Sequence, residues 1–184
     1  GQEVLIEREA RRIYFGKTAS GAWDENRGEH LILTQPGSPA WRVTDKHQMT
    51  WEFDGGGHLT KIADRNNNVL LLGYSGSNLT SIGQDVNGDA TADRAVTLTY
   101  YGTVPDRIHT ISAGGRTVTY TYNAGGNGNL ERVDDSDGNF VIYEYTDAGG
   151  VHRMTAAKDA LAHVIEAHGY DGSGRVSATQ SDGG

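Results

Sequence analysis

Val118-Thr119-Tyr120-Thr121-Tyr122-Asn123 leads into a Gly/Asn turn, and Leu130-Glu131-Arg132-Val133-Asp134-Asp135 follows it. An Asp137-Gly138 turn then leads into Val141-Ile142-Tyr143-Glu144-Tyr145. Apolar and aromatic residues fall on every second position of the first and third strips, the period of a strand with one buried face. The stretch therefore reads as strand, turn, strand, turn, strand, and it is one unit of a repeat.

Laid over the chain, the leading strip recurs as Met49/Trp51/Phe53, Leu70/Leu72/Tyr74, Val96/Leu98/Tyr100, Val118/Tyr120/Tyr122, Val141/Tyr143/Tyr145 and Glu166/His168/Tyr170. Successive terminal aromatics are 21, 26, 22, 23 and 25 residues apart. Each strip is followed by two apolar or small positions three apart: Leu59/Ile62, Leu79/Ile82, Ile108/Ile111, Leu130/Val133, Met154/Ala157 and Val176/Thr179. A step of three breaks strand alternation, which predicts a bulge or strand end near the second residue of each pair. The segments are too short for helices and are bounded by Gly, Asn and Asp. Turns are expected at Gly55–Gly57, Gly76–Asn78, Gly125–Gly128, Gly149-Gly150 and Gly172–Gly174, and also at Asp64–Asn68 and Asp135–Asn139, where Gly and Asn accept positive φ.

A period of this length marks an array in which each unit buries its apolar face with its neighbours. The expected fold is all-β: antiparallel hairpin repeats forming a twisted, spiralling sheet, a partial shell or barrel. Residues 49–184 hold about six hairpins, and residues 1–48 read as a non-repeat β lead-in or cap within one structural domain. In that lead-in, strands are expected at Glu3–Glu7, Arg12–Phe15 and His30–Thr34, with Thr18–Gly28 a polar connection, and Trp41–Thr44 is expected to start a strand pair with Met49–Phe53.

Composition agrees. Gly is 26 of 184 residues and Pro 3, with no Gly-X-Y period, so collagen is excluded and turn-rich β structure favoured. The formal charge is −8 without a Lys/Arg cluster, which argues against nucleic-acid or anionic-membrane partners. Cys is absent, so disulfides and Cys-based metal sites are excluded. No apolar run is long enough to span a membrane. The chain opens on Gly1 and ends Ser181-Asp182-Gly183-Gly184, which reads as an excised or processed segment.

The repeat resembles the YD (tyrosine–aspartate) repeats of the RHS family. That motif runs aromatic-x-aromatic-Asp, two variable residues, Gly-Arg-Leu, then an apolar residue and an Asp-x-x-Gly turn. Tyr170-Asp171-Gly172-Ser173-Gly174-Arg175-Val176 is a near-complete match, and Phe53-Asp54 with Gly57-His58-Leu59, Ile62 and Asp64 is another. Tyr122-Asn123 with Leu130, Val133, Asp135 and Gly138 is a third, and Tyr143-Glu144-Tyr145 opens a fourth. The Asp after the aromatic is replaced by Ser75, Tyr101, Asn123 and Thr146 elsewhere. The resemblance implies structural repeat positions at Phe53, Tyr74, Tyr100, Tyr122, Tyr145, Tyr170, Asp54, Asp171, Gly174 and Arg175. It also implies a non-enzymatic wall segment of a bacterial-type secreted or cell-surface shell. The implied partners are the rest of that shell, or other copies paired through sheet edges, and an enclosed toxin in the toxin members.

Three features raise other readings. Asp85, Asn87, Asp89, Thr91 and Asp93 place oxygen side chains at alternate positions, as in Asp-rich calcium loops, which makes calcium the one candidate cofactor. Ala90 and Val96 stand where such a loop has its turn Gly and bidentate Glu, which favours a plain acidic hairpin loop. Nine Tyr and three Trp suit a sugar-stacking platform, so a carbohydrate- or protein-binding adhesion module is the alternative function. The recurrence of Tyr at one repeat position favours packing between hairpins instead. Paired carboxylates of a glycosidase need two groups flanking a cleft, and the sequence singles out no such pair.

Overall fold

The computed structural model describes residues 3–8, 11–25, 28, 30–102, 107–123, 128–146 and 152–181. The described residues form antiparallel strands and turns, with no helix. The chain divides into two units, Gly1–Ala95 and Val96–Gly184.

The first unit begins with a three-stranded sheet in chain order, β1 (Glu3–Arg8), β2 (Arg11–Lys17) and β3 (Trp23–Glu25). Strand β3 falls inside the segment expected to be a polar connection. Three residues with Trp23 as the one apolar member carry no visible period, and pairing to β2 through Lys17↔Trp23 defines the strand. Six further strands pair in chain order: β4 (Ile32–Thr34), β5 (Trp41–Thr44), β6 (Thr50–Phe53), β7 (Leu59–Ala63), β8 (Val69–Ser75) and β9 (Asn78–Asp85). Strand β5 pairs with β6 as expected, through Val43↔Trp51, and Leu33↔Val43 adds β4 to the same run. Phe15 is fully buried, with Leu31, Leu33 and Val43 beside it. Val4, Ile6, Trp23, Trp41, Trp51 and Phe53 pack around this cluster. The three-stranded sheet thus covers the apolar face of β4–β6, at about 1.5–3 kcal/mol for each fully buried large side chain. Farther along, Leu70 and Ile82 remain exposed.

Strand β10 (Arg94–Tyr100) crosses the boundary between the units. In the second unit it pairs with β11 (Ile108–Ala113), followed in chain order by β12 (Arg116–Tyr122), β13 (Leu130–Asp135) and β14 (Phe140–Thr146). Strands β15 (Arg153–Lys158), β16 (Val164–Tyr170) and β17 (Val176–Ser181) complete it. Gly114 and Gly115 join β11 to β12 with φ of 57° and 80°, the double left-handed turn that follows strand twist and that Gly adopts without strain. Neither run of strands closes on itself as a barrel.

Every hairpin that carries a leading strip and its trailing pair has one irregularity at the same place. Phe53 pairs with Leu59 but Glu52 pairs with Lys61, which leaves Thr60 as an extra residue. The same shift falls at Tyr74/Leu79, Tyr100/Ile108, Tyr122/Leu130, Tyr145/Met154 and Tyr170/Val176. A bulge inserts one residue and so restores the facing of the chain beyond it. The second apolar residue then meets the middle of the leading strip, as in Trp51↔Ile62 and Tyr120↔Val133. The bulge was expected near the second apolar residue; it follows directly after the first, because the terminal aromatic and that residue are the pair it anchors. Gly149-Gly150, and all of Gly125–Gly128 except Gly128, lie outside the described residues.

Candidate functional site

The repeated turns are built around a carboxylate. The Asp54 Oδ1 accepts from the amides of Gly56 and His58, each at 2.9 Å, while the Asp54 amide donates to the His58 carbonyl at 3.0 Å. Asp171 does the same with the amides of Ser173 and Arg175. Asp45, Asp64, Asp135 and Asp159 build the same five-residue loop between other strands. One side chain thereby satisfies two amides that a tight turn leaves unpaired. The fourth residue of each loop has positive φ: Gln48, Gly57, Asn67, Gly138, Ala162 and Gly174. At four loops a side chain also reaches the second carboxylate oxygen: His58 to Asp54, Asn68 to Asp64, Asn139 to Asp135 and His163 to Asp159.

These bonds favour the charged carboxylate. The His58 ring and the loop amides hold Asp54 below the usual carboxylate range, and the Asn68 and Asn139 side chains with their amides do so for Asp64 and Asp135. At Asp159 burial pushes upward, but the His163 and Leu161 amides and the His163 ring outweigh it, so that carboxyl is also lowered.

The Asp85–Asp93 loop is brought together by its own backbone. Asp85 is buried at 5 % exposure; its Oδ1 accepts from Gly88 N at 2.6 Å and its Oδ2 from Ala90 N at 3.0 Å. The Asp93 carboxylate accepts from Val86 N at 2.7 Å and from the Asn87 side-chain amide at 3.1 Å. Asp89 accepts from the Thr91 amide at 2.8 Å and from the Thr91 hydroxyl, and these bonds lower its pKa, the hydroxyl foremost. A Cβ on Gly83 would collide with Ala92, which shows how closely the loop folds back on β9. All three carboxylates thus accept from the loop itself. Among the described residues no group of three or more His, Cys, Asp or Glu side chains is arranged to hold a metal ion.

The terminal aromatics are half-buried at all six repeat positions. The ring of Tyr101 meets Tyr122 edge-on at 5.7 Å, and the Tyr101 hydroxyl donates to the Tyr120 carbonyl at 3.0 Å. The Tyr170 hydroxyl donates to the Met154 carbonyl at 2.7 Å. Burial raises the pKa of Tyr74 and of Tyr145. These rings are spent on neighbouring strands rather than laid flat to solvent.

Among the described residues, two open grooves bear on ligand binding. One, of about 640 Å³, runs past Pro39, Glu52, Phe53, Asp54 and Leu71. Its carboxylates are engaged: Glu52 lies 2.7 Å from the Arg42 guanidinium, and Asp54 holds its own loop. The other, of about 420 Å³, is lined by Val118, Val133, Phe140, Val141 and Leu161, with Asp135 and Asp159 closed on their turns. Neither offers two uncommitted carboxylates facing one space.

No protein-family model matches the chain, and a comparison with curated proteins finds no match either.

Proposed function

We propose that this chain is a YD-repeat scaffold segment, a non-enzymatic length of wall in a larger secreted or cell-surface protein. The observation that carries this reading is the identical bulge in all six hairpins. The residues that define the repeat are spent on register, on turn closure and on contact between strands. A binding platform would spend them on a ligand. Phe53 and Tyr122 meet Leu59 and Leu130 across the strand pair, and Asp54 and Asp171 close turns. The toxin-enclosing members of the family supply the expected setting, with this segment contributing wall.

The test pairs a glycan array with a melt of the Tyr122→Ala protein. The scaffold reading expects a blank array for the parent chain and a lower melting temperature for the variant. A folded Tyr122→Ala protein that specifically loses a glycan bound by the parent chain would replace the scaffold reading with the carbohydrate-binding one.

A further inference from the structure

The register that sets the bulges also lines up contacts between one hairpin and the next. Extending the β7–β8 pairing from Lys61↔Leu71 brings His58 opposite Tyr74, and the two rings stack with centroids 4.8 Å apart at 27°. Extending β11–β12 from Thr110↔Thr119 brings Arg107 opposite Tyr122. Its guanidinium lies 4.9 Å from the ring centroid and donates to the Gly128 carbonyl in the loop beyond. Extending β15–β16 from Ala156↔Ala167 brings Arg153 opposite Tyr170, 5.6 Å from the ring centroid. A Cβ on Gly174 would strike that guanidinium, so the same arginine also fills the space beside the following loop. In all three cases the holding residue directly precedes the first apolar residue of a trailing strand. In all three the held ring ends the next leading strand. A guanidinium over a ring face is attracted by the ring quadrupole, while the His58 imidazole stacks on its ring as an aromatic pair.

Arg175 stands at that position before β17, directly preceding Val176, the partner of Tyr170. Among the described residues, strand β17 pairs with β16 alone; its six residues are exposed, Val176 at 57 %. We infer that the outer edge of β17 is a docking edge for a β-strand that ends on an aromatic residue, with Arg175 holding the ring. The occupant is the leading strand of a further hairpin of the same pattern, and the inference rests on the scaffold reading. Its register follows from the three internal examples. The aromatic lies opposite Arg175, and the residue three before it lies opposite Ala178, as Leu71 lies opposite Lys61. An antiparallel strand placed there pairs the free backbone groups of the edge, as in strand addition to an open sheet. A second copy of the chain is a poorer occupant, since β4, an end strand of its sheet, is three residues long and has no aromatic.

The probe is a synthetic peptide of residues 116–122, whose Tyr122 ends a leading strand, titrated into the isotope-labelled full chain and followed by amide NMR shifts. The shifts should concentrate on Val176–Ser181. Arg175→Ala should weaken binding about threefold, the size expected of an exposed cation–ring contact, with Arg175→Lys between the two. A peptide with Ala in place of Tyr122 should bind weakly and be indifferent to Arg175→Ala. Shifts at other strand edges, no shifts on β17, or equal affinity for the Arg175→Ala protein would overturn the inference. So would self-association through β17 that the peptide does not displace. Each of these leaves the scaffold reading standing, because that reading falls on the glycan result instead.

Discussion

Trp51 on β6 pairs with Ile62 on β7, although Ile62 lies three residues beyond Leu59, the partner of Phe53. On Trp51's own strand the step to Phe53 is two. The mismatch is absorbed by Thr60, and if Thr60 paired in a regular ladder Lys61 would face Trp51. A double-mutant cycle of Trp51→Ala with Ile62→Ala should therefore show a coupling of about 0.5–1 kcal/mol, and one of Trp51→Ala with Lys61→Ala close to none. The reverse ranking would place the bulge elsewhere.

Ala162 occupies the loop position that is Gly57, Gly138 or Gly174 in sister loops, with φ of 64°. A left-handed conformation strains any residue with a Cβ, and Gly relieves it. Ala162→Gly should stabilise the protein by roughly 1 kcal/mol in urea unfolding, net of the entropy Gly loses on folding. Ala90, with φ of 64°, should respond in the same direction. A loss of stability in both variants would refute the loop geometry.

The loop carboxylates set a pH window. Asp54, Asp64, Asp135 and Asp159 all have folded pKa values below their unfolded ones. The stabilisation they give is fully present above the unfolded value, about 3.9, and is lost as pH falls through the folded values. Melting temperature should therefore hold steady above about pH 5 as far as these groups are concerned, and fall in the acid range below about pH 4. NMR titration of Asp54 should give a midpoint below that of an unstructured peptide, and His58→Ala should move it upward. A midpoint at the peptide value would remove the proposed loop bonds.

Asp85 is buried and accepts two loop amides. Asp85→Ala should cost about 1–3 kcal/mol, since it strands those donors. Because the loop's carboxylates already accept from its own donors, melting temperatures in millimolar calcium and in chelator should agree. A rise in calcium that disappears in Asp89→Ala would show that the same oxygens also take a cation.

The strips and hairpins were legible because alternation of Val, Leu and Tyr is a direct record of one buried face. The position of the bulge was legible only to within a residue. A step of three says that a residue is extra, and the pairing of Leu59 with Phe53 says which one. The shared loop was half legible. Asp54 and Asp171 carry a Gly three residues on, whereas Asp45, Asp64 and Asp159 carry Gln48, Asn67 and Ala162, so the common geometry is hidden by residue type. His58, Arg107 and Arg153 stand where the motif has its Arg, but their contacts with the next hairpin appear only once register is known. Strand β3 was missed because three residues are too few to show a period.

On this reading the repeated aromatics hold the sheet together. Equilibrium urea unfolding of Tyr122→Ala against the parent chain is the sharpest test, since Tyr122 meets Leu130, Tyr101 and Arg107. A half-buried ring with those contacts should account for about 2 kcal/mol, seen as a lower midpoint. An unchanged unfolding curve would mean that Tyr122 is held for something other than structure, and the scaffold account would fail.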